Sequence, residues 1–243
     1  MSEKAQRISV FIGHLHGVSE SDNEILSKAE HVRADRIANC DFRNRFIVRR
    51  AFLRRSIGQF IDLLPYRGEI VIDAVGKPHL PEPYSFIHFN LTHSDRFMGV
   101  VLSKNVPVGI DIETLDRAFP LALVKFIFNK REIYQLSKAV DPHLMFMRGW
   151  TNKEAVLKCI GRGLLMDPKR IHVFLKGHDE HLKAFEVLPN GYTQAIYRLI
   201  PLPSLDSAIG VVAIRDMPVA PEFWRVTDRT EYAPLTPSVV YAG

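Results

Sequence analysis

The sequence predicts an α+β fold, and three observations favour that class. A length of 243 residues, with 47% hydrophobic and 24% charged residues, is typical of a globular protein that buries a sizeable core. A helical stripe and several β-type runs both occur along the chain. These helices and strands do not alternate regularly, which favours α+β over a doubly wound parallel sheet.

The first half of the chain is predicted to contain one strand, one long helix and a series of further strands. Residues 7–12 have the composition of a strand. Apolar residues at spacings of 7, 4, 3 and 4 then define one helix face: Phe46, Leu53, Ile57, Phe60 and Leu64. The turn at 65–68 ends this helix, and β-type runs follow at 69–73, 85–92, 97–102 and 106–113.

Helical patterning returns in the second half. Asn129 and Glu132 resemble a capping pair for a helix over 130–138. A longer helix is predicted over 142–159, begun by Pro142 and ended by Gly161 and Gly163. Strands are predicted at 171–175, 182–187, 192–199 and 208–214. Beyond Met217 the chain is rich in proline and has no periodicity, which predicts a tail.

The turn at 103–105 is the candidate boundary between two subdomains. We therefore expect an N-terminal α+β subdomain over 1–105, a C-terminal α+β subdomain over 106–216 and a Pro-rich tail over 217–243.

The positive charge of the chain is concentrated in one segment. Between Lys28 and Arg55 there are nine basic and three acidic residues, a net charge of +6, whereas the whole chain carries +5. If the apolar stripe faces the core, the arginines of this helix lie mostly on the opposite arc, where an anionic ligand could reach them. The alternative interpretation is an ordinary solvated helix face.

Several classes of protein are disfavoured. No stretch approaches the roughly 18 consecutive apolar residues of a membrane span, and the N-terminus lacks the apolar core of a signal peptide. Two cysteines, Cys40 and Cys159, are too few for a disulfide framework or a structural zinc site. We expect a cytoplasmic protein with reduced thiols. Walker loops, nucleophile elbows, dinucleotide-binding glycine motifs and HExxH motifs are absent from the sequence.

The segment VGIDIE, residues 108–113, places two acids on one strand face. Side chains alternate along a strand, so Ile110 and Ile112 point to the core while Asp111 and Glu113 point together to the other side. Their Cα atoms are expected roughly 6.6 Å apart, close enough for both to bind one Mg²⁺. An exposed strand that happens to carry two acids is the alternative.

A third acid and a lysine lie in WTNKEAVLK, residues 150–158. On a helix Trp150, Glu154 and Lys158 share one face because they are spaced i, i+4 and i+8. This arrangement suits a metal and phosphate site. A surface Glu–Lys pair beside a core tryptophan is an equally good interpretation of the spacing alone.

Two further segments carry groups that can bind an anion. Lys77 lies beside a proline in the turn GKPHL, residues 76–80. Thr92, His93 and Ser94 cluster hydrogen-bonding groups at the end of the strand in FNLTHS, residues 89–94. A histidine in such a loop can donate to a phosphate oxygen.

In this order, GKPHL, FNLTHS, VGIDIE and WTNKEAVLKCIGRGL resemble the ordered motifs of the 4′-phosphopantetheinyl transferases, specifically the longer surfactin-type group. Weaker likeness at 45–54 extends the resemblance toward the N-terminus. It implies two similar α+β halves related by a pseudo-twofold axis, with coenzyme A bound in the cleft between them. It also implies transfer of the phosphopantetheine arm to a serine of an acyl or peptidyl carrier protein.

The resemblance also implies roles for individual residues. Asp111, Glu113 and Glu154 match the acidic metal-site residues, for Mg²⁺ or alternatively Mn²⁺. The residues that match contacts to coenzyme A are Arg45, Lys77, Thr92, His93, Lys153 and Lys158. The family often has paired lysines just before Arg36, where this chain has His31 and Ala34, so the contacts to the 3′-phosphate differ.

The expected mechanism is attack of the carrier serine on the β-phosphate, with release of 3′,5′-adenosine bisphosphate. Glu154, Lys158 and His93 are the candidate catalytic residues: Lys158 and His93 would offset developing charge, and Glu154 would act as base, metal ligand or both. The expected partners are coenzyme A and a carrier protein with an acidic surface. We expect a monomer that binds no nucleic acid and no membrane.

Two other functions fit parts of the sequence. Acids on a strand beside a Lys–Glu pair on a helix also suit a Mg²⁺-dependent nuclease or phosphodiesterase. The basic segment also suits a nucleic-acid-binding module without enzymatic activity. The ordered motifs argue against the first, and the lack of exposed aromatic residues between the basic ones argues against the second.

Overall fold

The computed structural model describes residues 5–74, 76–116, 118, 121–162, 165–175, 182–227 and 231–235. Within these ranges strands and helices mix without regular alternation, so the predicted α+β class is confirmed. No helix in the described ranges is long and apolar enough to cross a membrane.

The first half begins with a strand, continues with three helices and ends in a pair of long strands. These elements are β1 (Gln6–His14), α1 (Glu20–Ile25), α2 (Lys28–Asp35), α3 (Cys40–Phe60), β2 (Val71–Ile72), β3 (Pro78–His79), β4 (Ile87–His93) and β5 (Phe97–Lys104). The short helices α1 and α2 carry no apolar periodicity, and the sequence reasoning missed them.

The second half has a similar order, a strand followed by three helices and a strand meander. Its elements are β6 (Val108–Thr114), α4 (Leu121–Ile127), α5 (Lys130–Ser137), α6 (Pro142–Ile160), a 3₁₀ turn (Pro168–Arg170), β7 (Ile171–Val173), β8 (Lys183–Val187), β9 (Thr193–Pro201) and β10 (Ala208–Arg215). The predicted caps are confirmed: Asn129 and Glu132 form a reciprocal capping box, and Gly161 ends α6 in a left-handed conformation with φ of 83°. Gly163 lies outside the described residues.

After the second half the chain returns to the first sheet, and part of the segment predicted as a tail forms two strands that were not predicted. Strands β11 (Val219–Thr227) and β12 (Glu231–Leu235) join it, and β11 pairs with β1 in parallel. The first sheet therefore has the order β12-β11-β1-β5-β4, and the second has the order β6-β10-β9-β8-β7. Strand β11 was not predicted because it contains Pro221 and alternates poorly, while its partner β1 lies more than 200 residues away in the chain.

Helix α3 packs its apolar stripe against the first sheet, but it ends earlier than predicted. It begins after Asn39, whose side chain accepts the Phe42 N–H, and ends at Phe60. Asp62 then adopts a positive φ of 57°, and Leu64, predicted to face the core, is exposed. The chain folds back so closely that a Cβ at Gly58 would lie 2.7 Å from the Leu63 carbonyl oxygen.

Part of the basic segment is structural, which corrects the expectation that its arginines lie mostly on an open arc. Arg54 and Arg50 bind the two carboxylate oxygens of Glu30 at 2.7 and 2.6 Å. Arg55 binds Asp22 at 2.6 Å. Both acids also close the capping boxes of their own helices, α2 and α1. These ion pairs therefore fasten the two short helices to α3, and fewer cations remain for a ligand.

The two sheets meet along β4 and β6. These strands are connected by hydrogen bonds from backbone N–H groups of β6 to side chains of β4. The Asn90 side-chain oxygen accepts the Ile110 N–H at 3.1 Å, and the Thr92 hydroxyl accepts the Ile112 N–H at 3.4 Å. Both polar side chains are buried. This seam fixes the position of β6, and with it Asp111, relative to the first half of the protein.

Candidate active site

Helix α6 lies directly on β6 because the strand has a glycine at the crossing point. A Cβ at Gly109 would lie only 2.0 Å from the Ala155 carbonyl oxygen and 2.5 Å from the Cys159 nitrogen. Only glycine permits such a close approach. The acids that follow Gly109 on the strand are therefore within reach of the face of α6 that carries Trp150, Glu154 and Lys158.

Asp111 lies at the centre of this contact. Its Oδ1 accepts hydrogen bonds from the Lys158 ammonium at 2.6 Å and from the Thr92 hydroxyl at 3.2 Å. The Lys158 ammonium also lies 3.3 Å from the Thr92 hydroxyl. Asp111 is only 4% exposed, and among the described residues its Oδ2 has no hydrogen-bond partner. One buried carboxylate oxygen is thus left to accept a ligand.

Glu113 is held by Trp150, which lies on the same face of α6 as Glu154 and Lys158. The indole N–H of Trp150 donates to Glu113 Oε1 at 3.1 Å. Asp111 and Glu113 both contact α6, while Ile110 and Ile112 are fully buried on the other side of β6. The alternation inferred from the sequence is therefore confirmed for this strand.

Glu154 lies between these two contacts on α6 and is electrostatically coupled to both acids. Burial and the negative charges of Asp111 and Glu113 raise the pKa of Glu154 to about 7, although the positive charge of Lys158 opposes this shift. Three carboxylates therefore share one negatively charged environment, which a single lysine compensates only in part.

His93 lies at the end of β4 on the side that faces the basic residues. Desolvation by the surrounding protein and the positive charges of Arg49, Lys158 and Arg45 lower the pKa of His93 to about 4, against a small opposing effect of Asp95. The neighbouring Ser94 hydroxyl is buried, with no hydrogen-bond partner among the described residues. A concentration of positive charge without a matching anion is typical of a phosphate-binding site.

Lys77 also reaches this region, from the short β2–β3 hairpin. Its ammonium donates to the Lys158 carbonyl oxygen at 3.3 Å and lies near Gly161, so it caps the C-terminus of α6. Lys77 thereby connects the first half of the chain to the helix that carries Glu154 and Lys158.

Lys153, which the resemblance assigns as a coenzyme A contact, does not lie with the other site residues in the structure. Its side chain is fully buried on the opposite face of α6. There it donates to Glu132 at 2.8 Å, to the Ile171 carbonyl at 2.6 Å and to the Pro168 carbonyl at 3.0 Å. With these partners the ammonium has no hydrogen-bonding capacity left for a ligand.

The acids suit a divalent cation chemically but do not form a closed metal site as they stand. No group of three histidine, cysteine, aspartate or glutamate side chains in the described residues is arranged to hold a metal ion. One oxygen of Asp111 is bound to Lys158, and one of Glu113 is bound to Trp150. The free, buried Asp111 Oδ2 and the carboxylate chemistry nevertheless fit a Mg²⁺ ion that takes its other ligands from water or phosphate.

Sequence reasoning missed three residues that build this site. Asn90 holds β6 from the first sheet, Arg49 adds charge beside His93, and Glu132 anchors α6 through Lys153. The capping pattern at Glu132 was recognised, but its second role depends on a partner 21 residues away. Nothing in the local sequence distinguishes Arg49 from its buried neighbours on α3.

The fold places the carboxylates of β6 and α6 close to the positive charges around His93, an arrangement that suits an enzyme acting on an anionic substrate. A family model described as the 4′-phosphopantetheinyl transferase superfamily matches residues 107–193, which include β6 and α6. The chain belongs to this superfamily and is a transferase.

Curated relatives support the family assignment over most of the chain. The 4′-phosphopantetheinyl transferase HetI of Nostoc sp. is 30% identical over 205 residues, covering 82% of each chain. A putative 4′-phosphopantetheinyl transferase of Synechocystis sp. is 28% identical, covering 74% of this chain and 73% of the relative. The enzyme gsp of Aneurinibacillus migulanus is 38% identical over 79 residues, covering 32% of this chain and 33% of its own.

Proposed function

We propose that this protein transfers the 4′-phosphopantetheine arm of coenzyme A to a serine of an acyl or peptidyl carrier protein. The observation that carries the proposal is the double contact of α6 with β6, Lys158 to Asp111 and Trp150 to Glu113. It brings an ammonium and three carboxylates together next to the basic cluster around His93. A diphosphate substrate needs both kinds of group.

The basic cluster binds the phosphates of coenzyme A in this proposal. Arg45, exposed on α3, binds near the nucleotide end, and His93 and Lys158 bind the diphosphate. Thr92 orients Asp111 and Lys158, because its hydroxyl is already engaged with both. Lys77, which donates to the Lys158 carbonyl oxygen, adds positive charge at the C-terminal end of α6.

A bound Mg²⁺, or alternatively Mn²⁺, would withdraw charge from the diphosphate oxygens. Asp111 would supply its free Oδ2 as one ligand, Glu113 and Glu154 would supply further ligands, and water and phosphate would complete the shell. Lys158 and His93 offset the charge that builds on the phosphate as the bond to the leaving group breaks.

The chemical step is attack of the carrier serine oxygen on the β-phosphorus of coenzyme A. The bond from that phosphorus to the bridging oxygen breaks, and 3′,5′-adenosine bisphosphate leaves. A serine hydroxyl is a poor nucleophile until it loses its proton, and Glu154 accepts that proton directly or through water. Because Glu154 also lies beside Asp111, it serves both as base and as metal ligand in this scheme.

The proposed cleft lies between two similar subdomains, approximately 1–105 and 106–216. A pseudo-twofold axis relates them. The order of elements supports this proposal, since each half runs from a strand through three helices into further strands. The sheet order supports it as well: β1-β5-β4 in one half corresponds to β6-β10-β9 in the other. The strands beyond Met217 are then an addition to the first subdomain.

The carrier protein is proposed to present an acidic surface to the remaining cations of the basic segment. Exposed residues that make no buried ion pair in the described structure are Lys28, Arg33, Arg36 and Arg45. We also propose that the protein acts as a cytoplasmic monomer that does not bind nucleic acid. If the protein were instead a nucleic-acid-binding module, the same basic residues would bind the nucleic acid. The affinities for coenzyme A and for nucleic acid therefore have to be compared directly.

Binding and product analysis separate these functions. Titration calorimetry at moderate salt should give tighter binding of coenzyme A than of a short DNA or RNA duplex. Incubation with coenzyme A, Mg²⁺ and a carrier protein should release 3′,5′-adenosine bisphosphate, detected by chromatography. Cleavage of a nucleic acid, or tighter binding of it than of coenzyme A, would support the alternative functions instead.

A further inference from the structure

The Lys158 ammonium is bound to one carboxylate oxygen of Asp111, the acid whose other oxygen is free, among the described residues, to accept a cation. It lies 2.6 Å from Asp111 Oδ1, in a buried setting, and is itself half-buried. Its second neighbour is the Thr92 hydroxyl at 3.3 Å. A lysine in this place neutralises part of the charge of the three acids when no metal is bound.

The second acid of β6 also has one carboxylate oxygen engaged by a protein group. Trp150 donates to Glu113 Oε1 at 3.1 Å, and no three carboxylates of the described residues converge on one point. Asp111 Oδ2 nevertheless remains buried and without a partner in the described structure. The acids are therefore poised for a cation, but one of the two Asp111 oxygens is bound to a side-chain ammonium.

We propose that Lys158 is an internal counter-ion that competes with the divalent metal for Asp111 and is drawn away from it by the substrate phosphates. This inference rests on the proposed function, because it assumes a phosphorylated substrate beside the metal site. When a phosphate group binds, Lys158 gains a new anionic partner and Asp111 is released. Metal and phosphate ligand then strengthen each other's binding, and by linkage the effect is reciprocal.

The inference assigns Lys158 a role that a purely static phosphate contact does not have. A lysine that only bound phosphate would leave the affinity for metal alone almost unchanged when it was replaced. A lysine that competes for Asp111 weakens metal binding, so replacing that lysine strengthens metal binding. The two roles therefore predict different metal affinities for the same substitution.

The test is titration with Mn²⁺, followed by the electron paramagnetic resonance signal of the free ion. In the wild-type protein, Mn²⁺ alone should bind weakly, and coenzyme A without any carrier protein should tighten the binding. In Lys158→Gln, Mn²⁺ alone should bind at least about 10-fold more tightly than in the wild type. Coenzyme A should then increase the affinity for Mn²⁺ only slightly. Circular dichroism and thermal unfolding check that the variant is folded.

The matched control is Arg45→Gln, which removes one positive charge from the same cluster without removing a partner of Asp111. It should change the affinity for Mn²⁺ alone by less than a factor of about 3, since screened charges at a distance act weakly. Equal tightening in Lys158→Gln and Arg45→Gln would attribute the effect to general electrostatics and overturn the proposal. Unchanged or weaker Mn²⁺ binding in Lys158→Gln would also overturn it.

A second measurement keeps the proposal testable if Lys158→Gln does not fold. The ¹⁵N-labelled ammonium of Lys158 should give a protected NMR signal in the metal-free protein, which shifts or disappears when Mg²⁺ and coenzyme A are added. A signal that never shows protection would contradict the ion pair. These readouts need no carrier protein, so failure of the proposed transferase reaction is detected separately, by the product analysis above.

Discussion

The ammonium of Lys153 and the carboxylate of Glu132 form a 2.8 Å ion pair in which neither side chain is more than 1% exposed. Glu132 also closes the capping box of α5 and accepts the Val173 N–H at 2.9 Å. One carboxylate thus connects α5, α6 and β7. The pair anchors the face of α6 opposite to the one that carries Glu154 and Lys158.

Replacing Lys153 with Met should destabilise the protein by about 3–5 kcal/mol, because the buried charge of Glu132 loses its partner. The double variant Lys153→Met with Glu132→Gln should recover part of this loss. Urea unfolding measures both. If Lys153→Met instead kept its stability and lost affinity for coenzyme A, Lys153 would be the substrate contact that the sequence suggested.

Thr92→Val should lower both stability and activity, whereas Thr92→Ser should preserve most of each. Valine has nearly the shape of threonine but leaves the buried Ile112 N–H unsatisfied, at a cost of about 1–3 kcal/mol. It also removes the hydroxyl that orients Asp111. Thermal unfolding and kcat/KM for coenzyme A check the two effects. Equal activity of the valine and serine variants would remove Thr92 from the site.

The pair formed by Glu30 and Arg54 should make the protein sensitive to acid. Burial alone would raise the pKa of Glu30, but hydrogen bonds from Arg54 and the Ser27 N–H, together with the charges of Arg50 and Arg54, lower it below the ordinary 4.5. A carboxyl with a lowered folded-state pKa stabilises the protein above its unfolded-state value and loses that effect as the pH falls through the folded-state value.

In Glu30→Gln the free energy of unfolding should therefore decline less steeply below about pH 4.5 than in the wild type. Asp116→Asn is the control, because its ion pair with Arg96 is exposed and should contribute little. Unfolding curves at a series of pH values measure the slopes. Identical slopes in Glu30→Gln and the wild type would contradict the assignment.

His93 should be neutral near pH 7 in the free protein and gain a proton when coenzyme A binds. Desolvation and the charges of Arg49, Lys158 and Arg45 lower its pKa to about 4, and phosphates placed among these cations would reverse the effect. Affinity for coenzyme A should then fall as the pH rises through the pKa of the complex. Titration of the ring by NMR checks this; a pKa near 6.5 that coenzyme A leaves unchanged would exclude the contact.

Glu154→Gln should reduce kcat by about 10²- to 10⁴-fold, because glutamine cannot accept the proton of the carrier serine. The amide keeps the size of the side chain, so the thermal unfolding temperature should not fall. Steady-state kinetics with a carrier protein gives the rates. Wild-type turnover in this variant would remove Glu154 from the proposed role of base.

The sequence predicted the parts of the fold that depend on local periodicity and capping. The stripe on α3 as far as Phe60, the caps of α6 and the alternation along β6 are all set by neighbouring residues, and the structure confirms them. Strand β11 could not be found in this way. Its place beside β1 depends on pairing over more than 200 residues, and its own pattern is interrupted by Pro221.

The sequence could predict which side chains of the candidate site share a face of a helix or strand. It could not predict which charged side chains are buried. Spacing alone placed Trp150 and Lys158 on one face, and both contact β6. Spacing could not show that Arg54 and Lys153 would be buried in ion pairs, because the acids that bind them lie more than 20 residues away. A charged residue in a motif is equally compatible with a ligand contact and a structural anchor.

Intact-mass spectrometry of a carrier protein shows directly whether this protein transfers phosphopantetheine. The carrier is incubated with this protein, coenzyme A and Mg²⁺, and a carrier with its serine replaced by alanine serves as the control. We expect the serine carrier to gain the mass of one phosphopantetheine and the alanine carrier to gain none. If neither a fatty-acid nor a peptidyl carrier gains that mass, the proposed function is contradicted.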